Sequence, residues 1–138
     1  MKRITRLPAA VSLVVGGIIH LQLWLSGYRV IPYVGPFFIA NVVVSALLAL
    51  ALVARNDSRV TVVAIIFSLA SLVALVMSRT VGLFGFTEPA WTDQAVRATT
   101  AEFGAIVALA IVFVVTHRTA VALAPGPGRD RRDRRQGA

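Results

Sequence analysis

The chain has 138 residues, 57% of them hydrophobic and only 14% charged, with a mean hydropathy of +0.79. A soluble domain carries about 25% charged residues, so there is too little polar surface here to coat a globule, and lipid must be the solvent for much of the chain. Cysteine is absent, which excludes disulfides, thiolate metal sites and thiol nucleophiles together.

The net charge of +8 would raise nucleic acid as a partner for a soluble protein. The placement of the charges argues against it. Lys2, Arg3 and Arg6 crowd the start, and Arg129, Arg131, Arg132, Arg134 and Arg135 crowd the tail. Basic flanks of this kind orient membrane helices rather than read bases.

Four apolar segments follow one another at roughly 7–26, 37–54, 60–78 and 98–116. Each is long enough to cross a hydrocarbon core of about 30 Å at about 1.5 Å per residue. Backbone groups in lipid must pair within their own segment, so the spans are helices despite their many Val and Ile residues. The expected fold is all-α, a four-helix transmembrane bundle over residues 1–124 with a tail over 125–138. The first segment follows basic residues as a signal peptide would. It runs on to Leu25 with no small-x-small cleavage site after it, and is read as a retained helix.

Topology follows from the loop charges. Eleven of the 14 basic residues fall on one side, and only Arg29, Arg79 and Arg97 on the other. The positive-inside rule then predicts a multi-pass protein of the cell membrane with both termini cytoplasmic. The inner turn from Arg55 to Arg59 is tight, which predicts helices 2 and 3 as antiparallel neighbours. The first outer connection holds Pro32, Gly35 and Pro36, and Pro36 suits the first turn of helix 2. Trp24, Tyr28 and Tyr33 suit an interfacial belt.

The second outer connection, from Arg79 to Arg97, alternates Gly82 and Gly85 with Leu83, Phe84 and Phe86 before Glu88 and Trp91. It is too apolar for a solvated loop, and is expected to fold over the outer mouth of the bundle as a re-entrant or interfacial segment. Thr92 and Asp93 are placed to cap the approach to helix 4. The tail from Pro125 mixes Pro, Gly, Arg and Asp and is expected to be disordered, with a weak contact to anionic lipid.

Ionisable residues at membrane depth are rare and point to function by default. His20 lies about 9 Å below the outer end of helix 1, and Glu102 about 6 Å below that of helix 4, at 1.5 Å per residue. Asn41 lies at similar depth, and helix 3 exits through Ser78, Arg79 and Thr80. All four helices thus offer a polar group to one layer near the outer leaflet. Helical spacing groups Gly16, His20 and Trp24 on helix 1, and Asn41 with Ser45 on helix 2. It groups Ser68, Ser71 and Ser78 on helix 3, and Ala98, Glu102 and Ala105 on helix 4. Small and hydroxyl residues so spaced let helices approach and hydrogen-bond.

The layer reads as a His20–Glu102 hydrogen bond joined by Asn41, acting either as a structural pin or as a binding or proton-handling site. Arg79 is placed to compensate Glu102 from the rim or to anchor helix 3 at the interface. The candidate ligand-binding residues are His20, Asn41, Arg79, Glu102, Trp24, Tyr28, Arg29 and Glu88. The candidate metal ligands are His20 and Glu102, two where a closed site takes three or four. A bis-histidine haem within one chain is disfavoured, because His20 and His117 fall at opposite surfaces. No phosphate loop, paired aspartates or catalytic triad spacing stands out, and no catalytic residue is assigned.

A set of positions carries a resemblance. It comprises His20, Leu21, Leu23 and Trp24; Gly27, Tyr28 and Arg29; Ile31 and Pro32; Gly35 to Phe38 and Asn41; Gly82 to Phe86 with Glu88 and Trp91; and Glu102. Over about residues 10 to 115 the chain resembles uncharacterised small four-helix integral membrane proteins of high-GC Gram-positive, actinobacterial type. The resemblance implies fold and location, not an activity. The expected function is that of a non-enzymatic accessory subunit or small-ligand binder with an outer polar pocket. One alternative is a redox, metal or haem-handling protein using His20 and Glu102, and another is a small oligomeric transporter. The expected partners are the lipid bilayer and a membrane protein or second copy of the chain; no cofactor is specified.

Overall fold

The computed structural model describes residues 6–55 and 57–122. Four helices follow in order: α1 (Leu7–Leu25), α2 (Val34–Ala54), α3 (Ser58–Thr80) and α4 (Asp93–Ala122), with a single 3-10 turn at Tyr28–Val30 between α1 and α2. All four are long and apolar enough to span a membrane. The 125–138 tail, with Lys2 and Arg3, lies outside the described residues.

The packing is inverted relative to a soluble bundle. Large apolar side chains such as Val11, Ile18, Leu47, Leu50, Ile66 and Ile111 point outward. Many of the buried positions are small or polar, among them Ala9, Gly16, Gly17, Ala64, Ala98 and Ala105. Lipid tails are as apolar as leucine, so association of helices depends on close backbone approach and hydrogen bonds rather than on the hydrophobic effect. Gly17 shows the principle directly: a Cβ there would lie 3.2 Å from Cβ of Ser45 on α2.

The bundle is tight at one end and open at the other. At the end with the α2–α3 connection, Ala9, Leu13, Ala49, Leu52, Ala64, Leu109 and Val112 form a closed core drawn from all four helices. The Arg6 guanidinium, itself buried, donates to the carbonyl of Arg55 at the end of α2. Asp57 accepts from the Arg59 amide at 2.9 Å and caps α3. Along the bundle α1 packs against α2 and α4, and α4 against α3, whereas α2 and α3 barely touch.

The tight turn makes α2 and α3 neighbours, as loop length predicts, and both contribute to the closed core, but contact between them is sparse beyond it. A turn holds two helices together only where it joins them. Beyond the closed core, Phe37, Phe38 and Phe67 occupy the seam, and a cavity separates the two helices.

Two helix starts differ from those expected. α4 begins at Asp93, five residues before the predicted 98, with Thr92 Oγ1 accepting from the Ala95 amide at 3.2 Å. Hydropathy marks the apolar part of a helix, and here Asp93, Gln94 and Arg97 extend the helix beyond it. α2 begins at Val34, which places Pro36 inside the first turn, where its missing N–H has no intrahelical acceptor to lose.

At the open end the α3–α4 connection makes a two-residue hairpin turn. Leu83 and Phe86 exchange backbone hydrogen bonds of 2.8 and 2.9 Å, and the residues between them, Phe84 and Gly85, have φ of 51° and 80°. Positive φ at both central positions is the type I′ geometry, easy for glycine and costly for phenylalanine. The cost at Phe84 is met by packing: its ring stacks on Phe37 at 5.4 Å and lies against Tyr33 at 5.7 Å. Tyr33 also has positive φ, at 64°.

Candidate functional site

Polar side chains from three helices form one connected chain near the open end. On α2, the Ser45 hydroxyl donates to Asn41 Oδ1 at 3.1 Å. Asn41 Nδ2 donates to Ser71 Oγ on α3 at 2.9 Å. The Ser71 hydroxyl donates in turn to Glu102 Oε1 on α4 at 2.8 Å. Every donor in the series points toward the carboxylate, so the network is polarised along its length. Asn41 and Ser68 also approach Glu102, although the Ser68 hydroxyl, one turn before Ser71 and fully buried, finds no partner of hydrogen-bond geometry.

His20 is beside this network but not in it. Its Nδ1 bonds the carbonyl of Gly16 at 2.8 Å, one turn back on α1, and the ring meets Phe38 edge-on at 5.5 Å. The expected His20–Glu102 hydrogen bond is not formed. A carbonyl four residues earlier lies directly under a helical side chain, so the histidine satisfies itself locally. Glu102 does face α1, because Gly16 has no side chain to exclude it: a Cβ there would lie 3.9 Å from Glu102 Oε1. The carboxylate nevertheless takes its hydrogen bond from α3.

Arg79 likewise goes elsewhere than to Glu102. It forms an ion pair with Glu88 at 3.1 Å and donates to the carbonyls of Glu88 and Ala90 at 2.8 and 2.6 Å. Tyr28 completes this cluster by donating its hydroxyl to Glu88 Oε2. Burial raises the Tyr28 phenol above its ordinary value of 10.0, and the neighbouring Glu88 carboxylate raises it further. Tyr28 precedes α2 and Glu88 precedes α4, so the triad ties the two connections of the open end together. Helix 3 ends near Arg79 while Glu102 lies more than two turns into α4, which is why the arginine meets the loop acid first.

Between α2 and α3, under this cap, is a cavity of about 410 Å³. Its walls are mainly apolar, including Phe37, Phe38, Phe67, Ala70 and Ala74, and Phe84 and Phe86 of the hairpin roof it. Polar lining comes from His20, Tyr28, Asn41, Ser71, Ser78 and Arg79. Of the sequence-derived candidates, His20, Tyr28, Asn41 and Arg79 therefore meet at the cavity, with Glu102 and Glu88 one hydrogen bond behind it. Trp24 is half-buried and Arg29 exposed, and neither lines it.

The aromatic wall was not legible as a site beforehand. Phe37 and Phe38 stand out in sequence only as positions of the resemblance, and Phe67 carries no signal. Ser71 carried a usable signal in its spacing from Ser68, yet the spacing alone suggests helix packing. Among the described residues no three His, Asp or Glu side chains converge, and His20 and Glu102 have separate hydrogen-bond partners. No family model matches the chain, and no curated protein or solved structure shows significant similarity to it.

Proposed function

We propose that this chain is a non-enzymatic, multi-pass protein of the cell membrane that takes a small lipid-soluble ligand into the cavity between α2 and α3. The single observation that carries the reading is that cavity. Ligand sites are typically 300–1,000 Å³, largely apolar, with a few placed polar groups, and a volume of about 410 Å³ with His20, Asn41, Ser71 and Arg79 among its walls fits that description. The seam between α2 and α3 offers a lateral route from the bilayer. The charge asymmetry of the loops favours cytoplasmic termini, which would put the cavity and its Tyr28–Glu88–Arg79 cap toward the outer leaflet. An accessory role beside a partner membrane protein is compatible with the same cavity.

The test is mass spectrometry of the small molecules extracted from protein purified in mild detergent, compared with an Ala74→Trp variant. Ala74 lines the cavity, and an indole there fills space without disturbing the Ser71 network. A near-stoichiometric molecule that is present in the wild-type protein and lost from the variant supports the reading. The same extract from both proteins, at equal helicity and thermal stability, refutes it.

A further inference from the structure

The roof of the cavity carries costs that the rest of the chain avoids. Among the described residues, the non-glycine residues with positive φ are Tyr33 and Phe84, at 64° and 51°. Their rings lie against each other at 5.7 Å, at the mouth of the cavity. After Tyr33 the Val34 amide donates to the Pro32 carbonyl at 2.7 Å. With φ of 64° and ψ of −45° at Tyr33, this is the γ-turn of the rare, strained hand. Beside these residues the Nε–H of Arg79 is buried with no hydrogen-bond partner, so the closed form bears the desolvation of a charged donor. Strain of this kind persists only where the surroundings over-determine it, and it collects at clamps and switches.

Little burial offsets these costs. No residue from 81 to 94 is buried, although Leu83, Phe84 and Phe86 lie across the cavity. Phe84 stacks on Phe37 and is still 60% exposed. Most polar ties of the segment run back to α3. The Gly82 and Glu88 amides donate to the carbonyls of Met77 and Ser78, and Arg79 holds the carbonyls of Glu88 and Ala90. Across the mouth, toward the α1–α2 connection, the polar tie is the Tyr28 hydroxyl on Glu88. A segment with few buried apolar contacts and exposed backbone hydrogen bonds belongs to the low-stability end of a fold, from which lids are drawn.

Building on the cavity as a ligand site, we propose that residues 81–92 are a lid, hinged on α3 and latched across the mouth by the Tyr28 hydroxyl on Glu88. Gly82, with φ of 91°, supplies the hinge where the segment leaves α3. Closed, the lid sets Phe84 and Phe86 over the cavity. Release of the latch lifts both rings, lets Phe84 and Tyr33 relax, and returns Arg79 Nε–H to water. The open lid connects the cavity to the aqueous side of the open end, a route separate from the lateral seam between α2 and α3.

The chain has no cysteine, so one introduced thiol reports on the cavity alone. The experiment places Ala74→Cys on the cavity wall, in phosphatidylcholine–phosphatidylglycerol nanodiscs. The probe is trimethylammonium-ethyl methanethiosulfonate, whose fixed charge keeps it out of the hydrocarbon and confines it to the mouth. Labelling should be well slower than in the chain unfolded by dodecyl sulfate. Tyr28→Phe keeps the ring and removes the latch, and should raise the rate about tenfold, the worth of one hydrogen bond to a charged group. Gly85→Ala has room for its methyl but must hold φ of 80° in the closed turn, and should raise the rate without touching the latch. Ala49→Cys, in the closed core, should stay unlabelled in every background. A wild-type rate equal to that of the unfolded chain, or no rise in either variant, overturns the lid. So does a rise shared by Ala49→Cys, which is loosening of the whole bundle. The labelling needs no ligand, so its outcome is separate from that of the extraction experiment. A gated thiol with no extracted molecule leaves the lid and removes the ligand; an extracted molecule with an ungated thiol does the reverse.

Discussion

Ser71→Ala is the most informative single substitution in the polar network. The Ser71 hydroxyl accepts from Asn41 at 2.9 Å and donates to Glu102 at 2.8 Å, so it links α2 to α4 in the series. Alanine removes one oxygen, opens no cavity and improves helix propensity slightly. What is lost is two interhelical hydrogen bonds between groups that stay buried, Asn41 at 8% and Glu102 at 4% exposure. Interhelical bonds in membranes average about 0.6 kcal/mol and reach about 1.7. Two of them give an expected loss of about 1–3 kcal/mol, with the upper half favoured because one acceptor is a carboxyl group. The assay is reversible unfolding in mixed micelles of mild detergent and dodecyl sulfate. Ser78→Ala serves as control, because the Ser78 hydroxyl bonds the Leu75 carbonyl of its own helix, at 2.7 Å, rather than another helix; that variant should stay within about 0.5 kcal/mol of wild type. A double-mutant cycle of Ser71→Ala with Glu102→Gln should show coupling above about 0.5 kcal/mol. A Ser71→Ala protein as stable as the Ser78→Ala control, with no coupling to Glu102, would refute the idea that this chain of hydrogen bonds joins the helices.

Other consequences can be measured with the same material. Gly17→Leu should cost about 1–3 kcal/mol by overpacking, since even a Cβ would meet Ser45 at 3.2 Å. Gly104→Leu, which meets nothing within 4 Å, should be neutral or slightly stabilising; equal effects of the two substitutions would contradict the observed α1–α2 approach. Glu88→Gln removes the carboxylate shared by Tyr28 and Arg79. Hydrogen exchange at the Leu83, Phe86 and Glu88 amides should then accelerate, and unchanged protection would show that the hairpin is held by its aromatic contacts alone. The Tyr28 phenol is raised in the folded state, so folding favours its protonated form. That contribution is fully present below the unfolded value of about 10 and is lost as pH rises through the folded value. Stability should therefore fall above pH 10 in the wild type more steeply than in Tyr28→Phe, and parallel pH profiles would count against the Tyr28–Glu88 contact. Elemental analysis of the purified protein should find no stoichiometric metal, because His20 and Glu102 have separate partners; a metal that disappears in His20→Ala would replace the ligand proposed above.

Four spans were legible in the sequence because the cost of exposing backbone polar groups to lipid leaves a long apolar run almost no alternative to a helix. That His20, Asn41 and Glu102 fall at one level of the bundle was legible for a related reason: helical rise is constant, so counting residues measures distance along each helix. The Thr92 cap was readable from local chemistry, and the folding of the Gly82–Phe86 stretch against the bundle from its glycine and phenylalanine alternation. Each of these inferences needs only one helix or one connection at a time.

Which groups pair across the bundle was decided by tertiary structure alone. His20 bonds Gly16, Glu102 bonds Ser71, and Arg79 bonds Glu88, because each polar group takes the nearest competent partner once rotation about the helix axes is set. That rotation depends on small-residue contacts such as Gly17 against Ser45, which have no signature beyond the residues themselves. The cavity has the same origin. A short α2–α3 turn fixes where two helices meet, but only the packing of α1 and α4 determines that they part again beyond the closed core, leaving a space that no single segment encodes.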